Sequence, residues 1–409
     1  MRTGLRRLGI STRGQHEGIF SWPNMSHDVY KRALFNSSSP MKNLEPRDEW
    51  VDVLRGLVAL LVVVHHTALM YGAIGSWFWH EKSPDNSFSS LLLTAFCTFN
   101  QSWFMGLFFL LAGAYVPRAL ARKGTSRYLM DRLVRLGLPL LVFGCLLGPL
   151  TIALAFTSKG FSFQDTLMAL WRQARFESGP LWFVAALWVM TCMITPFVPW
   201  LQRVRPFPSM AMMWVAALLV GASAFLIRLV WPVGQTWWIG WQLGYFPGYV
   251  LLFIAGVAGA QSRWWFDVPA SSASTWRRVM RWVVWLFPLV AIAGSLIPWM
   301  AGPAVGGWNV QALIYAFWEP LVAWGVLLGL LRWAQHRFTS PSGSYKAIGR
   351  SAMTVYLIHP PIVVGLGLAL QGWHWPELLK FVVSAGMSVL ICLASAQLLL
   401  RTSVWRRWF

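Results

Sequence analysis

Acidic residues are scarce in this chain. Only 14 Asp and Glu stand among 409 residues, and all charged residues together make up 12%. A soluble domain carries about 25%. So little charge cannot cover a water-facing surface of this size, which excludes an ordinary soluble enzyme. A disordered chain would need the opposite composition, little apolar and much charged. Cysteine is rarer still. Cys97, Cys145, Cys192 and Cys392 lie far apart in apolar stretches. Zinc and redox motifs need short spacings such as C-x-x-C, so neither a metal site nor a disulfide scaffold is expected. The four thiols are expected to be buried and inert.

The first 46 residues lack an apolar run long enough for a signal peptide. They are polar, with serine and arginine, and contain Met25 and Met41 as alternative starts. A disordered basic cytoplasmic tail is expected over 1–46, a membrane domain over 47–402, and a short basic end over 403–409. No soluble domain and no internal repeat is visible.

What the chain has in excess is apolar and basic. Apolar residues reach 56%, and 34 Lys and Arg leave a formal net charge of +20. An apolar run of about 20 residues spans the hydrocarbon core. Ten such runs occur, near 50–72, 92–117, 133–156, 180–201, 210–230, 242–261, 280–301, 309–331, 349–370 and 378–400. The expected fold is therefore all-α, a polytopic bundle of about ten transmembrane helices. With both termini cytoplasmic, the outside segments hold only Lys82, Lys159, Arg172, Arg175 and Lys380, and Arg55 and Arg228 fall within spans. The other basic residues gather on the inside, which is the positive-inside rule and gives an N-in, C-in orientation. The surplus charge is thus a topology signal, and nucleic acid is not an expected partner. Many of the 28 tryptophans, Trp77 and Trp79 among them, cluster at span ends, where amphipathic rings act as interfacial anchors.

Charged or titratable groups at membrane depth are costly, so each is a functional candidate. The first span carries Asp52, Arg55, His65 and His66. Asp52 and Arg55 lie three apart and can pair. Arg55 and His66 lie eleven apart, about 1100° of helix and so only ~20° from three full turns. They share a face, about 16 Å apart along the axis, while His65 is turned away. One stripe thus carries a carboxylate and a guanidinium near the cytoplasmic end and an imidazole deep in the bilayer. Histidine is the side chain best suited to proton transfer near neutral pH. Arg132 and Arg135 are one turn apart where the third span begins, and guanidinium forks suit phosphates. Glu319 stands mid-span before Pro320 and must be paired, protonated or facing a wet cavity. Arg228, near the outer end of a span, can snorkel. His359 precedes Pro360 and Pro361, which free backbone carbonyls that its ring could satisfy.

These residues resemble the acyltransferase-3 family of integral membrane O-acyltransferases, over most of 47–400. The most specific element is Arg55 followed by His66 with ten residues between. The Arg132–Arg135 pair ahead of Pro139, the stretch Phe104 to Tyr115, Gly179-Pro180-Leu181-Trp182-Phe183 and Tyr356-Leu357-Ile358-His359-Pro360 are similar to further family elements in the right order. His66 to Tyr71 and Trp79-His80 are similar to the subgroup that modifies periplasmic glucans.

The resemblance implies a bacterial inner-membrane, multi-pass acyltransferase. An acyl-CoA, carrying acetyl or succinyl, would dock from the cytoplasm with its phosphates near Arg132, Arg135 and Arg55. His66 would act as general base on an extracytoplasmic carbohydrate hydroxyl. Asp52 would pair Arg55, and Glu319 would orient His66. Trp182, Arg228 and His359 are the candidates for the carbohydrate side. A transporter or flippase shares the span count and buried charges, but its usual repeated halves are not seen. A lipid-linked glycosyltransferase would want an acidic site in an outside loop, where only Glu81 and Asp85 stand.

Overall fold

A computed structural model describes residues 48–408. The expected tail over 1–46 lies outside the described residues. Among those described, the architecture is helical throughout, with a single isolated bridge between Trp237 and Trp241 in place of any sheet.

The chain opens with α1 (Glu49–Met70), followed by α2 (Phe88–Gln101), α3 (Phe104–Lys123) and α4 (Thr125–Val142). A π-helical turn, Phe143–Leu147, leads into α5 (Gly148–Thr157), and α6 (Phe163–Arg172) and α7 (Trp182–Ile194) come next. After them lie α8 (Met210–Val230), α9 (Phe246–Gly259), α10 (Ala270–Val283) and α11 (Leu286–Leu296). Three long helices complete the bundle: α12 (Val310–Arg337), α13 (Gly343–Leu370) and α14 (Glu377–Leu399).

Eight helical stretches are long and apolar enough to cross a membrane. The two remaining apolar runs behave differently. Residues 242–261 give a shorter apolar helix, Leu243–Gly259. Residues 280–301 are not one helix: α10 ends at Val283, α11 runs for 11 residues, and a tight turn follows at Pro298–Met300. At 1.5 Å per residue α11 is about 16 Å long, half the hydrocarbon thickness. The expected span 92–117 is also divided. Ser102 bonds back to the Phe99 carbonyl at 2.8 Å, and α2 stops one residue before it. Such a back-bond competes with the helical ladder and bends the chain.

Two pairs of glycines set the packing that matters for the site. A Cβ on Gly113 of α3 would lie 2.3 Å from the Phe253 carbonyl oxygen of α9, and one on Gly256 would lie 2.2 Å from that of Leu110. These two helices therefore touch backbone to backbone, as small residues allow in membrane bundles. The same device joins α1 to α13. A Cβ on Gly56 would meet the Ile348 carbonyl oxygen at 2.6 Å, and one on Gly349 would meet the Asp52 carbonyl carbon at 2.8 Å. The two helices run in the same direction from this contact. Ten residues beyond Gly56 is His66, and ten beyond Gly349 is His359. Equal rise along two parallel helices brings those histidines to the same level, about 15 Å from the glycines.

Basic residues gather at one end of the bundle. At that end Lys346 pairs with Glu49 at 2.9 Å, Arg263 reaches Asp48 at 3.5 Å, and Arg332 donates to the Val268 carbonyl at 3.1 Å. Large apolar side chains such as Leu390 (68% exposed) and Leu296 (76%) face outward, as hydrocarbon contact requires. The cysteines depart in part from the expectation of burial: Cys97 and Cys392 are buried, Cys192 is half-buried, and Cys145, in the π-helical turn, is exposed.

Candidate active site

The first-span stripe is intact. Arg55 lies 3.7 Å from Asp52, donates to the Leu111 carbonyl at 3.4 Å, and sits over the Tyr115 ring at 5.1 Å. The pairing expected from the three-residue spacing is therefore present, and α3 supplies the surface on which Arg55 rests.

At the other end of the stripe, His66 is half-buried. Its Nδ1 lies 2.9 Å from Nε2 of His359 on α13. The two rings are nearly coplanar, at an interplanar angle of 12°. His359 is fully buried, and its Nδ1 lies 2.9 Å from the Tyr356 carbonyl. Nε2 of His66 has no partner among the described residues and, unlike Nδ1 of His65, is not a sealed orphan nitrogen. It keeps some accessible surface. His65 points elsewhere, packing against Phe104 with ring centroids 4.9 Å apart, as the helix geometry anticipates.

Trp77 covers the histidine. Its ring stacks on His66 at 4.1 Å and 13°. Sequence reading takes Trp77 for an interfacial anchor, but the loop after α1 folds back and turns it inward. Ion pairs hold that loop down: Lys82 reaches Glu377 at 2.5 Å and Asp85 at 3.1 Å, and Lys380, only 6% exposed, pairs with Glu81. The Glu377 and Asp85 carboxylates favour the charged Lys82, so its pKa is raised, with the Glu377 hydrogen bond the largest cause. Glu81 and Asp85, the acids a glycosyltransferase would need open, are instead engaged by these lysines. Nothing in the spacing of Trp77 could have revealed the stacking, because it depends on where α14 places Glu377 and Lys380.

Glu319 is brought to Arg228, not to His66. Arg228 is 1% exposed, pairs directly with Glu319, and donates from Nε to the Gly244 carbonyl at 3.1 Å. Its guanidinium lies over Tyr245 at 5.2 Å and Tyr315 at 5.0 Å. Arg228 therefore does not snorkel: α8 packs its end against α12, where Glu319 offers a counter-charge inside the bundle. A cavity of about 40 Å³ lies beside the pair, lined by Gln101, Ser102, Tyr245, Tyr249 and Glu319. One oxygen of Glu319 and one nitrogen of Arg228 are buried without a partner, and the cavity, mainly apolar with a few polar groups in its wall, is roomy enough for a water.

Trp182 stacks on Tyr249 at 5.8 Å and its carbonyl accepts from Trp241 at 3.1 Å. It thus ties the 178–183 stretch, of which it is part, to the cavity through Tyr249. That stretch meets the His359 motif, because the Tyr356 hydroxyl bonds to the Pro180 carbonyl. His359 itself has both ring nitrogens engaged inside the protein, so it presents none to a carbohydrate. At the basic end, Arg132 lies over the Tyr128 ring at 5.5 Å with Nε 3.3 Å from its hydroxyl. Arg135, one turn further, is exposed.

Comparison with known proteins adds the following. The family model of an acyltransferase domain matches residues 48–397. Glucans biosynthesis protein C of Salmonella heidelberg (strain SL476) is 25% identical over 343 residues, covering 79% of this chain and 84% of that protein. The protein of the same name from Salmonella paratyphi B (strain ATCC BAA-1250 / SPB7) is 24% identical over the same shares. No solved structure matches this chain.

Proposed function

We propose, from the premise that this chain belongs to the acyltransferase-3 family and is a multi-pass membrane O-acyltransferase, that it moves an acetyl or succinyl group from a cytoplasmic acyl-CoA to a hydroxyl of an extracytoplasmic glucan in the bacterial inner membrane. The relatives' name supports glucan as the acceptor class. The positive-inside distribution supports the N-in, C-in orientation that puts the Arg55 end in the cytoplasm.

The observation that carries the reading is His66: a half-buried imidazole with one accessible nitrogen, on the same helix face as Arg55 and deep between the two ends. His66 takes the proton of the acceptor hydroxyl as its oxygen attacks the thioester carbonyl. The C–S bond breaks, and the departing thiolate takes the proton back from the imidazolium to leave as CoA-SH. Trp77, stacked on His66, lowers the cost of that imidazolium through its ring face. Arg132, Arg135 and Arg55 hold the donor phosphates at the basic end. Asp52 keeps Arg55 in place. Trp182 and the cavity beside the Arg228–Glu319 pair serve the carbohydrate: a hydroxyl reaches the polar groups of the cavity wall, Gln101, Ser102 and Tyr249, Arg228 holds Glu319 in place, and the indole offers a stacking face. Proximity at the meeting point of the two paths supplies much of the rate.

The test is transfer from radiolabelled acetyl-CoA and succinyl-CoA to glucan oligosaccharide in membranes carrying the wild type or His66→Ala. The reading expects transfer by the wild type and its loss, by at least about 100-fold, in a variant that still inserts and elutes as a folded protein. Transfer retained by that variant would contradict it.

A further inference from the structure

A backbone N–H four residues on normally satisfies each helical carbonyl, and proline has no N–H to give. Pro360 therefore leaves the carbonyl of Tyr356 without its helical donor. Nδ1 of His359 lies 2.9 Å from that oxygen. A carbonyl only accepts, so Nδ1 of His359 carries a proton. The ring is fully buried in the bundle and, among the described residues, no carboxylate touches it or His66. A cation there is costly, so His359 is the neutral imidazole and its Nε2 is a bare acceptor. Nδ1 of His66 lies 2.9 Å away from that nitrogen. It must donate, and this leaves Nε2 of His66 without a proton.

We infer that His359 is a positioning residue: the carbonyl freed by Pro360 holds His359 in one tautomer, and His359 in turn holds His66 in the Nδ1–H tautomer, with Nε2 bare and facing the accessible side. This deepens the reading of His66 as general base and rests on it for its catalytic meaning. Free histidine favours the opposite tautomer, in which Nε2 is protonated and cannot act as the base. The two-bond relay reverses that preference before substrate arrives. When Nε2 takes a proton, the Nδ1–H donor becomes cationic and its bond to His359 strengthens. The relay thus favours the protonated state the reaction passes through, with a neutral ring doing what a buried carboxylate does in other base–orienter pairs. The α1–α13 glycine contact supplies the register that makes it possible.

The tautomer can be read without substrate. Solid-state NMR of the full chain in lipid bilayers, with 15N-labelled histidine, distinguishes protonated from bare ring nitrogens. His66 is assigned among the 8 histidines by difference with His66→Gln. The expected result is protonated Nδ1 and bare Nε2 at His66 in the wild type. In His359→Phe the usual Nε2–H form should return. Turnover should fall about 10- to 100-fold in that variant, the range for losing a partner that fixes an imidazole, with KM for both substrates little changed. His359→Gln places an amide oxygen where Nε2 stood and should recover most of the turnover. Protonated Nε2 at His66 in the wild type would overturn the inference, whatever the variants do. So would equal losses in the Phe and Gln variants. Failure of the general-base reading is separate: His66→Ala would then keep its activity while the wild-type tautomer stayed as described.

Discussion

His66 is touched by two groups that act on it in different ways, and a third stands about 16 Å away on the same helix face. His359 bonds its Nδ1, Trp77 lies on its face, and Arg55 pairs with Asp52 further down the helix. The stacking of Trp77 has a measurable consequence. A cation–π contact at a half-buried site is worth about 1–2 kcal/mol. Trp77→Leu should therefore lower turnover about tenfold while leaving the Nδ1–H tautomer of His66 in place, read by the same NMR measurement. A Trp77→Leu enzyme with unchanged turnover would show that the ring only seals the site. At this scale the sequence was informative where the relation is local. The Asp52–Arg55 pair and the divergence of His65 from His66 follow from helix periodicity alone. The partners of His66 and Glu319 do not, because they come from helices some 90 to 290 residues away in the chain. One hint was present: Pro360 orphans the carbonyl that His359 satisfies, so the buried role of His359 was legible, though its second partner was not.

At the scale of elements, the α1–α13 contact decides whether the site exists. The helices touch at Gly56 and Gly349, and the histidines meet ten residues further on. A larger residue at Gly56 would press on the Ile348 backbone, which cannot give as a flexible side-chain tip would. Gly56→Val should cost about 1–3 kcal/mol, lower the thermal unfolding midpoint in detergent, and separate the two rings. Turnover should drop with it, while Gly365→Val, at a glycine of α13 with open space around its Cα, should leave both unchanged. Equal effects of the two substitutions would sink this role for the contact. Hydropathy was a reliable guide to eight long spans and a poor one at 280–301, where apolar residues are present but the chain turns twice. It also missed the break at Ser102, since a side chain bonding its own backbone leaves the apolar count untouched.

At the scale of the whole molecule, the groups proposed for donor and acceptor lie toward opposite ends of one axis. The basic end carries Arg55, Arg132 and Arg135; toward the other end lie Trp182, the Arg228–Glu319 cavity and the loop tied down by Lys82 and Lys380. The total surplus of positive charge says little by itself, and its distribution supports an orientation. The proposed function needs such a direction: donor from one side, acceptor from the other, joined at His66. It is tested by proteoliposomes sorted to a single orientation, with labelled acyl-CoA supplied only at the Arg55 face and glucan oligosaccharide sealed in the opposite compartment. The account predicts label on the oligosaccharide with the wild type and none with His66→Ala. Labelling by the His66→Ala protein, or equal labelling when the acyl-CoA is supplied only on the oligosaccharide's side, would contradict it.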